Sequence, residues 1–149
     1  MTAVGANDPA AGRVLGVDLG ARRIGLAVSD PTGTIASPYA VLQRSGDAAA
    51  DHRRMAEIAA EVGAQRVVVG LPLALSGRVG RAAEEAMAEV EEMARVLHLP
   101  VEAHDERLTT VSAERSMRAL GSKGADRRRA VDKVAAALML QSWLDGRRR

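Results

Sequence analysis

Residues 14–30 read VLGVDLGARRIGLAVSD: two short apolar runs, each closing on an acid, with GARR between them. The first run alternates Val14, Gly16 and Asp18 with Leu15, Val17 and Leu19. Successive side chains of a strand point to opposite faces. Both faces of this strand are apolar, so it belongs in the middle of a sheet that is covered on both sides. GARR, and the DPTG after the second run, are turn sequences. With TIASPYAVL following, the spacing predicts a three-stranded antiparallel meander whose first strands are residues 13–19 and 23–29. Asp18 then stands where a central strand finishes, with Arg22 and Arg23 beside it.

Beyond the meander the period changes. Met55, Ile58, Ala59 and Val62 fall at helical spacing, and Gly63 can stop that helix. QRVVVGLPL is a compact strand leading into a Pro/Gly/Ser loop. Residues 80–98 predict a second helix with Ala83, Ala86, Met87, Val90, Ala94 and Leu97 inward and Glu84, Glu85, Glu91 and Glu92 outward. Pro100 precedes a strand in VEAHDE. Thr109 or Thr110 can cap a helix running to Gly121. Asp126 can cap the last helix, which would bury Val131, Val134, Ala135, Leu138 and Leu144.

The order is β-β-β-α-β-α-β-α-α. Strands separated by helices pair in parallel through right-handed crossovers. The expected fold is therefore α/β, a five-stranded mixed sheet with helices on both faces. It forms one domain at residues 13–145, between a loose tail at 1–12 and a basic tail at 146–149. In open α/β sheets the functional crevice lies at the carboxyl ends of the strands, which is where Asp18 falls.

Composition narrows the functions. The chain has 149 residues, 47% hydrophobic and 27% charged, enough for one domain with a real core. There is no Phe, one Trp and one Tyr, so the core must be built from Val, Leu, Ile, Ala and Met. No row of aromatics offers itself to stacked bases, which argues against RRM-like or OB-like single-strand binding. Without cysteine, disulfides and zinc–thiolate sites are excluded. His52, His98 and His104 are scattered, with no zinc-ligand spacing. No apolar run is long enough to span a membrane. The opening MTAVGANDPAAG lacks the pattern of a signal peptide, so the expected compartment is the cytoplasm. Net charge is +2, yet base is concentrated in SKGADRRRAVDK and the terminal GRRR, a pattern that fits a polyanionic partner. Arg127, Arg128 and Arg129 fall in the first turn of the last helix, where each cation costs about a few tenths of a kcal/mol. Phosphate contact would explain that placement, and so would a solvated face.

Three acids share one feature. Asp18 ends the first strand, Glu106 ends the last, and Asp132 lies early in the final helix, flanked by the stripe that packs on the sheet. Singly, each has an ordinary reading: a turn residue, an exposed strand end, a charge helped by a helix N-terminus. Together at one rim they would repel and take up protons unless a cation neutralised them. Oxygen donors without thiols or a histidine cluster select Mg²⁺ or Mn²⁺. Two such ions about 3.5–4 Å apart can clamp the attacking water and the leaving oxygen of a phosphodiester.

GVDLGARRIGLAVSD, VVVGLPL, DERLTTVSAE and VDKVAAALMLQSWL, in this order over about residues 13–145, resemble the YqgF/RuvX family. That family is described both as Holliday junction resolvase-like proteins and as pre-16S rRNA nucleases. The resemblance implies an RNase H-like fold. It also implies that Asp18, Glu106 and Asp132 are the catalytic, metal-binding carboxylates; the expectation is that Asp18 would bridge two Mg²⁺ or Mn²⁺ ions, with Glu106 and Asp132 each holding one or both. Arg22, Arg23 and Arg107 near these acids, with Lys123, Arg127, Arg128 and Arg129, are the candidate nucleic-acid contacts, and Thr109 and Thr110 support the end of the last strand. One position departs from the family: after VGLPL, where Asn is usual, this chain has Ala74, so a polar contact in that loop is missing.

The expected function is hydrolysis of phosphodiester bonds in structured nucleic acid, first of all maturation of the pre-16S rRNA 5′ end, by a monomer or homodimer. Cutting of branched DNA as a Holliday junction resolvase is the alternative. A non-catalytic nucleic-acid-binding module would use the basic clusters, but unneutralised acids would repel its ligand. DLGARRIGLAVSD also resembles the first phosphate loop of actin-like and sugar-kinase-like ATPases. Those proteins close two domains around ATP, and this chain has length for one.

Overall fold

The computed structural model describes residues 12–71, 80–105 and 125–147. Five strands form one sheet: β1 (Arg13–Leu19), β2 (Arg23–Ser29), β3 (Ala36–Gln43), β4 (Ala64–Leu71) and β5 (Val101–Asp105). Among the described residues three helices accompany them: α1 (Ala48–Val62), α2 (Arg81–Leu97) and α3 (Ala125–Arg147). The strand order is β3-β2-β1-β4-β5. The meander pairs antiparallel, and β4 and β5 join it in parallel. β1 is thus the central strand, as its two apolar faces require.

The two faces of β1 feed separate cores. Val14 packs with Ala27, Val68 and the α3 residues Ala135, Ala136, Met139, Leu140, Trp143 and Leu144. Leu15 and Val17 pack on the other side with Ile24, Leu26, Val67 and Val69 against Met55 and Ile58 of α1 and Met93 and Leu97 of α2. In a chain without Phe, the unbranched thioethers of Met55, Met93 and Met139 fill the irregular gaps, each at most 1% exposed.

Local chemistry explains the boundaries. Asp47 caps α1, its carboxylate accepting from Ala49 N and Ala50 N, and Gly63 closes it in the left-handed region at φ 71°. Pro38 lies on the edge strand β3, where a missing amide donor is tolerated, beside a bulge opposite Leu26 and Ala27. Ser29 is buried, and its Oγ accepts the Val14 amide at 2.8 Å, satisfying the start of β1.

Three details differ from the sequence expectation. Met87 is 45% exposed and Val134 is 40% exposed, so neither belongs to its helix's inward stripe. Met93 takes that role in α2, and a run of alanines, Ala135 to Ala137, takes it in α3. Asp126 lies within α3, which already begins at Ala125, rather than capping it. The helix expected from Thr109 or Thr110 to Gly121 lies outside the described residues.

Candidate active site

The β1–β2 hairpin builds the floor. Gly20 N donates to the Arg23 carbonyl at 2.9 Å, so Ala21 and Arg22 form the turn. The register sets Asp18 opposite Gly25 on β2 and opposite Gly70 on β4. Asp18 is 5% exposed, an acid held at the carboxyl end of the central strand.

α3 supplies the second acid. It crosses β1 and β2 so closely that two glycines become necessary. A Cβ on Gly25 would overlap the Asp132 carbonyl, and one on Gly16 would stand 2.9 Å from Leu140 Cβ. This close approach brings Asp132 over the hairpin. Arg23 Nε donates to Asp132 Oδ2 at 2.6 Å, a short charge-assisted contact between two largely buried groups.

Asp18, Asp132, Arg22, Arg23, Gly20 and Gly25 line one open cavity of about 360 Å³. Two of the three expected acids and two of the expected cations therefore meet at one place. β5 ends at Asp105, in parallel register with Leu71. On that strand His104 pairs in register with Gly70, which itself pairs with Asp18, and its Nε2 lies 3.3 Å from Ser142 Oγ on α3. Burial holds the His104 ring below its ordinary pKa, against the pull of Asp105 and Glu102. Arg128 and Arg129 are on the exposed first turns of α3. Glu106, Arg107, Ala74, Thr109, Thr110, Lys123 and the Arg127 side chain lie outside the described residues.

Among the described residues the cavity offers two carboxylates from two elements, Asp18 and Asp132, and no imidazole, and oxygen donors of this kind are those a hard divalent cation takes. Arg23 answers part of the charge that such an ion would otherwise neutralise.

Sequence reasoning missed what supports this site. Arg44 donates Nε to the Gly20 carbonyl at 2.8 Å and both terminal nitrogens to Glu89 at 3.0 and 3.1 Å. His52, 1% exposed, meets the same carboxylate at 2.8 Å. Burial pushes the Glu89 carboxyl up, but the bonds from Arg44 and His52 outweigh it and leave the pKa below the ordinary value. The cluster ties α1 and α2 to the hairpin turn. Its partners are scattered along the chain, so no local motif announces it. Asp30, the second acid of the opening stretch, has a different role from Asp18. It accepts from Thr34 N and Ile35 N at 2.8 Å and from the Thr32 hydroxyl. These bonds, Ile35's foremost, hold its carboxyl far below the usual carboxylate range. Asp30 organises the β2–β3 turn.

Comparison with known proteins follows the same lines. Residues 12–146 match the family model described as "RuvX: Holliday junction resolvase". The chain is 49% identical over 144 residues to a protein of Mycobacterium tuberculosis strain H37Rv named "Putative pre-16S rRNA nuclease", covering 95% of this chain and 84% of the relative. A protein of the same name from Mycobacterium sp. strain KMS is 46% identical over 145 residues, covering 97% and 86%. Among solved structures, RuvC of Thermus thermophilus in complex with a Holliday junction substrate superposes with a TM-score of 0.57 at 18% identity, over 92% of this chain and 96% of that one. A second structure of Thermus thermophilus RuvC gives 0.55 at 18% identity, over 91% and 96%. That likeness is one of fold, the RNase H-like arrangement of sheet and flanking helices. On the strength of the family match and these relatives, the chain belongs to the RuvX family.

Proposed function

We propose that the protein is a metal-dependent nuclease whose substrate is precursor 16S rRNA, cut near its 5′ end. One observation carries this reading: Asp18 and Asp132, from distant parts of the chain, line a single open cavity with Arg22 and Arg23. Acids alone would repel a nucleic acid, and cations alone would need no acids. Both in one cavity suit a phosphodiester held over divalent ions. The names of the mycobacterial relatives favour the ribosomal precursor over a DNA junction.

In this reading Asp18, Asp132 and Glu106 would hold Mg²⁺ or Mn²⁺. Glu106 follows in the sequence on Asp105, the last residue of β5. When bound, the ions supply Lewis-acid neutralisation of the charge that builds on a phosphodiester attacked by water. Arg22, exposed at the hairpin tip, orients the phosphate of the incoming strand. The clamp of Arg44 on Gly20 keeps that tip at a fixed height beside Asp18.

Cleavage of a 16S precursor fragment and of a synthetic four-way junction, side by side with Mg²⁺ or Mn²⁺, tests the proposal. The precursor should be cut near the mature 5′ end, and Asp18→Asn should slow cutting by at least about 100-fold while leaving binding largely intact. Cleavage of the junction alone would reassign the substrate. Undiminished cleavage by Asp18→Asn would remove the site.

A further inference from the structure

The two arginines that meet carboxylates around the hairpin are held differently. Arg44 commits Nε and both terminal nitrogens to the Gly20 carbonyl and Glu89. Arg23 reaches Asp132 through Nε, and its residue borders the cavity. Its backbone cannot follow a moving side chain: it pairs with Gln43 on β3 and receives the Gly20 amide. Any change of partner must come from the side chain.

We infer that Arg23 is a counter-ion that competes with a divalent cation for Asp132 and passes to a substrate phosphate when the ion binds. The inference rests on the proposed role of Asp132 as an ion ligand. A guanidinium 2.6 Å from Oδ2 occupies a position that an ion on that oxygen would need. The two cations compete for that oxygen, because like charges a few ångströms apart in a partly desolvated site repel strongly. A phosphodiester brings paired anionic oxygens to the same cavity, and a guanidinium fits these at least as well as a carboxylate. Substrate then draws Arg23 away and makes room for the ion, and the ion makes Arg23 available to the substrate. The two ligands strengthen each other's binding by the same factor. Arg23 is in this account a positioning residue that couples ion loading to substrate.

Titration calorimetry with Mn²⁺ alone tests the competition on the full-length protein, on Arg23→Gln and on Arg22→Gln. Both variants lose one charge near the cavity, and Arg23 is the one bonded to Asp132. Arg23→Gln should bind Mn²⁺ about fivefold or more tighter than wild type, and Arg22→Gln within about twofold of it. Equal tightening in both would reduce the effect to local field and overturn the inference, as would unchanged or weaker binding in Arg23→Gln. Wild-type protein gives a second readout that needs no variant. In ¹⁵N spectra, saturating Mg²⁺ should move the Arg23 Nε–H resonance while that of Arg44, bonded to Gly20, stays in place. An Arg23 resonance unmoved at saturation overturns the inference and leaves the nuclease reading standing. If wild-type protein binds no Mn²⁺ in a manner abolished by Asp18→Asn, both fall.

Discussion

At the residue scale, Gly25 matters as much as the acid it faces. It pairs with Asp18 across the hairpin, and the Asp132 carbonyl fills the space where its side chain would be. Gly25→Ala should push α3 off the sheet, costing about 1–3 kcal/mol by urea denaturation. It should also lower Mn²⁺ affinity, because Asp132 moves with its helix. A variant that loses stability yet binds Mn²⁺ as wild type would separate the glycine from the site. Asp30 makes the contrasting case. Its carboxyl pKa is lowered from 3.8 by the turn's hydrogen bonds, so its contribution to stability is present above pH 3.8 and fades as pH falls below that toward the folded value. The melting-temperature difference between wild type and Asp30→Asn should be full at pH 6 and shrink progressively below about pH 4. A difference independent of pH would mean that the turn does not depend on the charge. Both acids close an apolar run in the sequence, and each is followed by turn residues. The distinction comes from Thr32 and Thr34, which draw Asp30 into its own turn.

At the element scale, the strands and their partners were legible because each rested on a local rule. The double-faced apolar run of β1 placed it centrally, and Gly63 marked the end of α1. The contents of α2 and α3 were less legible. In α3 the alanines at 135–137 carry little hydrophobic signal, yet they are what allows the helix to descend onto Gly16 and Gly25. The clamp between elements was invisible for another reason: Arg44, His52 and Glu89 meet only after α1 and α2 dock. Glu89→Ala should leave the Arg44 guanidinium and the buried His52 ring without their carboxylate partner, destabilising the fold by about 2 kcal/mol in chemical denaturation. The side chains of Arg44 and Glu89 are 22% and 15% exposed, so water screens part of the loss. No measurable loss would mean that solvent replaces the carboxylate fully. A second tie holds the far end of α3: Glu102 on β5 accepts from Trp143, Arg66 and Arg147. That tie, with the close approach of the helix to Gly16 and Gly25, sets how α3 crosses the sheet and presents Asp132.

At the scale of the whole molecule, charge and site act together. A net charge of +2 steers little by itself, so the proposed contact with a phosphate backbone would rest on the arginines of the cavity rim and those early in α3. Replacing Arg127, Arg128 and Arg129 by Ala should weaken RNA binding and flatten its dependence on salt by about one unit of slope for each phosphate that an arginine no longer neutralises. An unchanged slope would assign those side chains to solubility. Sequence patterning could bring the three acids to one rim in expectation because strand ends and helix packing are governed by period and topology. It could not foresee Arg23 on Asp132, since ion pairing across the fold follows from how closely a helix descends. The central proposal is that Asp18 and Asp132, with Glu106, would hold divalent ions, and a crystal grown in Mn²⁺ tests it most directly. Anomalous density within bonding distance of Asp18 and Asp132 is the expected result. Saturating manganese with no density between those two carboxylates would contradict it.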